Sequence, residues 1–233
     1  MQLIEIGRGK SVLVAFCLFV SPGFSDAQVP DQTLVYKVSY GNKNADEITI
    51  ILRNDDEGYV LTSTTKPSKL AGLFLKAHTS DTKFIWRDGK LAPLSATEKL
   101  QGKESYDRGF QFDYDNKQVE FVEGKVESFE DGDQFESVTF PLLLMHRPIE
   151  TVGGMQVKEV SPKRFRGYTY AKPADEIVNV PAGEFRAWKI IRFRTDKPED
   201  TVTVWLDKSD NPVPVKIVVY KKGKTSSLDL TSN

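Results

Sequence analysis

Apolar and polar positions alternate with a period of two along most of this chain. Leu34, Tyr36, Val38 and Tyr40 make one row, with Lys37 and Ser39 on the other side. The same alternation recurs in Ile48, Ile50 and Leu52, in Tyr59, Leu61 and Ser63, and in Phe110, Phe112 and Tyr114. It returns in Val202, Val204 and Leu206, and in Val213, Val215, Ile217 and Val219. Successive side chains of an extended chain point to opposite sides, so each segment presents one apolar face. Turn sequences fall between these runs: Asn54 to Gly58, Asp88 to Lys90, Asp115 and Asn116, Glu123 to Lys125, and Lys222 to Lys224. Gly, Asn and Asp tolerate the positive φ that tight hairpins need. Many short strands with close turns predict a mainly β, antiparallel meander and not a parallel α/β sheet.

Two stretches break the alternation. Pro67–Lys76 (PSKLAGLFLK) carries Leu70, Leu73 and Phe74, and Ser137–Arg147 (SVTFPLLLMHR) is nearly all apolar. Ser137 or Thr139 suits a helix cap, and Pro141 is tolerated in a first turn. Both are expected to be short helices packed on one face of a curved sheet. Lys172 to Asp175 and Thr195 to Asp200 read as long turns within one domain.

The first residues follow a different pattern. Arg8 and Lys10 form a basic head, Ser11 to Val20 is almost wholly apolar, and Ser25, Asp26 and Ala27 are small or polar exit residues. This layout predicts a secretory signal peptide over 1–27 and a single antiparallel β domain over 28–233. The apolar run is about half of the ~20 residues a spanning helix needs, so no permanent membrane span is expected after cleavage. The expected location is the periplasm. Cys17, the sole cysteine, lies in the segment to be removed, so no disulfide and no thiolate ligand are expected. Lipidation at Cys17 is the rival reading. Phe16 stands where a lipoprotein signal needs a small residue, and Cys17 lies in the middle of the apolar run.

The 32 basic and 33 acidic residues are interspersed, which excludes the basic footprint of a nucleic-acid binder. With two histidines, His78 and His146, no metal site is expected, and no serine lies in a G-x-S-x-G elbow. Glu127–Glu136 (ESFEDGDQFE) groups Glu130, Asp131, Asp133 and Glu136 around Gly132. It lacks the spacing of an EF-hand loop and reads as a solvated turn. Asp113 and Asp115 would share a strand face, the arrangement that glycosidase-type acid/base work uses, but 33 acidic residues make chance pairs common. No catalytic residue and no cofactor are assigned. Phe84, Trp86, Tyr168, Tyr170, Trp188 and Trp205 fall in strand-like segments. They are core residues, or, for Phe84, Trp86, Tyr168, Trp188 and Trp205, candidates for the wall of a ligand cavity.

Several segments in order carry a resemblance. They are Tyr36 to Gly41 (YKVSYG), Thr65 to Pro67 ahead of Leu70 to Lys76 (LAGLFLK), and Val180 to Phe185 (VPAGEF) leading to Trp188-Lys189-Ile190. Val204 to Asp207 (VWLD) followed by Pro212 to Lys216 (PVPVK) completes the set. Together they resemble an exported bacterial domain-of-unknown-function family, number thirty-one-zero-eight. The closing part is also similar to the LolA, LolB and RseB lipoprotein-carrier group, in which a Trp-Leu-Asp strand leads to a proline-marked strand. That resemblance implies an unclosed β-barrel with the two short helices plugging an apolar cavity. It transfers no activity and no binding residue.

The leading expectation is non-catalytic binding of a lipid, acyl chain or other apolar ligand in the cell envelope, with a lipid or lipidated protein as partner. The alternative is a structural or protein-interaction module of the envelope, with an envelope protein as partner and no cavity. An envelope hydrolase using scattered carboxylates ranks third.

Overall fold

The computed structural model describes residues 31–232, apart from 42, 68–77, 88–89, 101–105, 138–140, 146 and 162. The expected signal peptide, the Asp88-Gly89 turn, His146 and all of the first expected helix beyond Pro67 lie outside the described residues.

The chain runs through β1 (Gln32–Tyr40), β2 (Lys43–Asp55), β3 (Gly58–Pro67), β4 (His78–Arg87), β5 (Lys90–Leu100) and β6 (Tyr106–Asp113). It continues through β7 (Gln118–Phe121), β8 (Val126–Ser128), β9 (Phe135–Ser137), the helix α1 (Pro141–Met145), β10 (Gln156–Ser161) and β11 (Arg164–Tyr170). It finishes with β12 (Ala174–Val180), β13 (Gly183–Arg194), β14 (Lys197–Asp207), β15 (Pro214–Lys221) and β16 (Lys224–Ser232).

All the strands belong to one sheet. Its order is β8-β7-β6-β5-β4-β3-β2-β1-β16-β15-β14-β13-β11-β10-β9, with β12 added on β13. The first and last strands pair with each other in the middle of the sheet, Tyr36 opposite Leu230 and Val38 opposite Leu228. Two arms spread from that pair, one a plain meander to β8, the other ending at β9. Among the described residues, every pairing is antiparallel except β9 with β10, which is parallel. The sheet curls without closing: it is an unclosed, barrel-like fold, as the alternation and the resemblance implied.

The turn chemistry acts where expected. Lys222 and Gly223 have φ of 50° and 75°, the pair of positive values that a two-residue hairpin matched to strand twist demands. Between Thr195 and Asp200 the expectation of a long turn needs correction. The turn is only Thr195 and Asp196, and Lys197 to Asp200 already belong to β14. Arg194 holds the tight version by bonding Asp196 (Nε to Oδ1, 2.9 Å) and Asp200 (Nη1 to Oδ2, 3.3 Å). At Gly58 a side chain would have no room: a Cβ there would lie 2.1 Å from the Phe84 carbonyl oxygen across the β3–β4 pair. Glycine lets the two backbones approach this closely.

Helix α1 is shorter than the Ser137–Arg147 expectation. Ser137 is the last residue of β9, and Pro141, which has no N–H to leave unpaired, opens the helix. Five residues still reach both sides of the interior. Leu143 packs with Leu52, Tyr59, Leu61, Phe84 and Leu91 from the first arm. Leu144 packs with Val152, Val157, Tyr168, Tyr170 and Ile190 from the second. Met145 touches both clusters. A helix too short to be stable alone is therefore fixed by tertiary packing.

A cavity with an apolar wall and a charged end

Above α1, whose Pro141 and Met145 form its floor, the curled sheet forms a partly open cavity of about 420 Å³. That lies within the ~300–1,000 Å³ of ordinary small-molecule sites. Its walls follow from strand parity. Leu34 and Tyr36 of β1, Ile48, Ile50 and Leu52 of β2, and Leu61 of β3 face it. Val202 of β14, Ile217 and Val219 of β15 and Leu228 of β16 complete the apolar wall. Leu228 apart, these residues belong to the rows that the alternation singled out. Ser63, Thr65, His78, Ser80 and Glu98 add a polar strip from β3, β4 and β5. Tyr36 is fully buried and its hydroxyl donates to the Pro214 carbonyl at 2.6 Å, which fixes β1 across β15; burial pushes this phenol's pKa up.

The charged end is built by β9, β10, β11 and β13. Arg192 is 3% exposed and lies between two buried carboxylates, Glu136 and Glu159. Its Nη1 donates to Glu136 Oε2 at 3.1 Å and its Nη2 to Glu159 Oε2. Tyr170 donates its hydroxyl to the Glu136 carboxylate at 2.7 Å, and Arg166 Nη1 reaches Glu159 Oε1 at 3.5 Å. The Arg192 guanidinium also stacks over the Tyr168 ring, 4.1 Å from its centroid, a cation–π contact strengthened by exclusion of water. Burial raises the pKa of Glu136 against the pull of Arg192 and the Tyr170 hydrogen bond. Burial opposes the charge on Arg192, yet Glu159, Tyr170 and Glu136 outweigh it and raise its pKa. Burial and the charge on Glu136 push the Tyr170 phenol well up.

This network gives a pH signature. A carboxyl whose folded pKa lies above the usual glutamate value of 4.5 binds a proton in the native state that the unfolded chain releases. Its stabilising contribution is full below 4.5 and is lost as pH rises through the raised folded value. Glu136→Gln removes this slope and keeps an acceptor for Tyr170. Across the pH range just above 4.5, the Tm of the wild type should fall relative to that of the variant as pH rises. A constant difference between the two would contradict the assignment.

Of the five aromatic candidates, the structure brings one to this cavity: Tyr168 lines it. Trp86 lines a second pocket of about 650 Å³, on the Leu143 and Arg147 side of α1, and meets Tyr59 edge to face at 6.2 Å. Phe84 is buried in the cluster around Leu143. Trp188 packs beside the Leu144 cluster with Lys208 Nζ 3.4 Å above its ring. Trp205 is buried with Val178, Ala187 and Val213, and Lys189 stands 5.4 Å from its ring centroid. Tyr170 serves the buried network. Asp113 bonds the Asn116 backbone and side chain at 2.9 and 2.7 Å and so caps the turn after β6; Asp115 is an exposed residue of that turn.

The run Glu127–Glu136 divides. Asp131 and Asp133 pair with Lys117 and Lys158 at 2.6 Å each, in keeping with a surface turn. Glu136, however, is 0% exposed, a correction to the solvated-turn reading. The reason is that β9 inserts beside β10 and points it at Arg192. Sequence reasoning missed Glu136, Glu159, Arg166 and Arg192. The available signal was Arg192 and Arg194, charged residues that continue the inward parity of Ile190.

No curated protein matches this sequence. Among solved structures, the chain is similar to a beta-barrel-like protein of domain of unknown function DUF1849 from Brucella abortus. The TM-score is 0.58 at 11% identity, covering 87% of this chain and 96% of that one. At that identity the likeness concerns the fold alone. The family model described as a protein of unknown function (DUF3108) matches residues 35–225. Spanning from β1 to β16, that match shows that the chain belongs to the DUF3108 family.

Proposed function

We propose that this protein is a non-catalytic carrier or receptor for an apolar ligand, a lipid or acyl chain, in the periplasm. The observation that carries the reading is the 420 Å³ cavity walled by Leu34, Ile48, Ile50, Leu52, Leu61, Val202 and Val219. Apolar burial contributes about 0.8 kcal/mol for each methylene taken from water, so such a wall selects for hydrocarbon. The signal-peptide layout of residues 1–27 supports the periplasmic part. No helix among the described residues is long and apolar enough to cross a membrane.

Mass spectrometry of organic extracts from the purified protein should find a bound acyl lipid in stoichiometric amount. After delipidation, the uncharged dye N-phenyl-1-naphthylamine should bind with enhanced fluorescence. Ile50→Trp, which puts a ring into the cavity, should weaken the dye by about tenfold or more. Absence of both lipid and dye binding, with protein partners recovered by crosslinking in cells, would favour an interaction module instead.

A further inference from the structure

The charged end of the cavity has hydrogen-bond donors left over, while the acceptors of Glu159 and Asp200 are taken. Glu159 Oε1 faces Arg166 Nη1 and its Oε2 accepts from Arg192. Asp200 Oδ1 accepts from the Lys222 N–H at 3.1 Å and its Oδ2 from Arg194 at 3.3 Å. On the donor side, Arg166 Nε is buried with no hydrogen-bond partner. Its Nη1 contact to Glu159, at 3.5 Å, is long. The Tyr168 hydroxyl makes no hydrogen bond among the described residues. Both residues line the cavity, and the charges of Arg192, Arg166 and Arg194 all act on Tyr168. A guanidinium has five donors and no acceptor. A buried donor with nothing to bond is costly to keep and is satisfied at once by a carboxylate or phosphate oxygen, for which the arginine fork is shaped.

Resting on the reading of the cavity as an apolar binding site, we propose that its ligand is an amphipathic anion. An acyl chain lies along Leu34, Ile50 and Val202, and its carboxylate or phosphate head meets Arg166 and the Tyr168 hydroxyl. Glu98, which lines the cavity from β5, opposes an anion and so tunes the affinity downward.

The test is displacement of N-phenyl-1-naphthylamine from the delipidated full chain above neutral pH. The competitors are dodecanoic acid, monododecyl phosphate and dodecanol, with acetate and inorganic phosphate as chain-free anions. The two acids should displace the dye about tenfold better than the alcohol, as a charge-assisted hydrogen bond implies. Acetate and phosphate should displace nothing. Arg166→Gln should erase the advantage of the acids and leave the alcohol unchanged, Arg166→Lys should retain part of it, and Glu98→Gln should enlarge it. Equal displacement by acid and alcohol in the wild type overturns the anionic head and leaves the apolar site standing. That comparison needs no variant to fold. Displacement by chain-free phosphate as strong as by the dodecyl compounds overturns the amphipathic ligand in favour of a free anion. Failure of every competitor and of the dye removes the apolar site itself.

Discussion

Arg192→Met should lower the unfolding free energy by about 3–5 kcal/mol. The side chain is 3% exposed and its guanidinium bonds Glu136 and Glu159, which are 0% and 3% exposed. Taking charges out of water is expensive, and the attraction of Arg192 for the two carboxylates offsets that cost only while the cation is present. Removing the cation leaves two carboxylates facing each other without it in the interior. Glu136, whose pKa burial already raises, then loses the Arg192 charge that pulls it down, so the loss should shrink as pH falls and grow as it rises. Urea unfolding at several pH values checks this. A second variant separates lost charge balance from lost packing: Arg192→Met with Glu136→Gln and Glu159→Gln should recover much of the stability, because no unpaired buried charge is left and the two amide oxygens still accept from Tyr170 and Arg166. A loss below about 1 kcal/mol for the single substitution would mean that water reaches these groups, since exposed pairs are worth no more than that.

The same network shows where the sequence becomes hard to read. The strand rows were legible because burial of one face imposes strict alternation, and the hairpins because Lys222-Gly223 and Asp113 to Asn116 declare their own geometry. Those are local constraints. The contact between Glu136 and Arg192 joins residues 56 positions apart, through the parallel pairing of β9 with β10. Nothing near Glu136 distinguishes it from Asp131 or Asp133, which remain at the surface. The tryptophans fail for a related reason. Trp188 pairs with Leu206, and Trp205 with Lys189, so the two rings lie on opposite faces of the β13–β14 hairpin. Parity within each strand is visible in the sequence, but the register between strands is not, and only register says which aromatics share a face. Arg166 and Tyr168 are two apart on β11 and so share a face, yet that this face meets the cavity depends on the curl of the whole sheet.

That curl depends on a seam of aromatic rings, and Phe112→Ala should open it, at a cost of about 3–5 kcal/mol. The sheet's two arms end at β8 and β9. Where they meet, no strand ladder joins them among the described residues; side chains do. Phe110 and Phe112 of β6 and Phe121 of β7 pack with Phe135 of β9 and Val160 of β10. Phe112 is central: its ring lies 5.8 Å from Phe110, 4.9 Å from Tyr114, 5.7 Å from Phe129 and 5.0 Å from Phe135. Phe165 of β11 extends the set, 5.6 Å from Phe135 and 6.2 Å from Phe121. The edge-to-face pairs with Phe110 and Phe135 and the stacked pair with Tyr114 each add about 0.5–1.5 kcal/mol beyond area burial. Truncating the central ring therefore removes several contacts together and leaves a void that rigid strands cannot collapse to fill. Because the arms are joined here by packing and not by a ladder, the damage should be regional. Amide exchange should accelerate in β6 to β9 before it does in β1, β15 and β16, which lie in the middle of the sheet, away from the seam. Phe112→Leu, which keeps most of the volume, should cost markedly less. Exchange that accelerates equally in every strand would show that the seam does not open separately from the rest of the sheet.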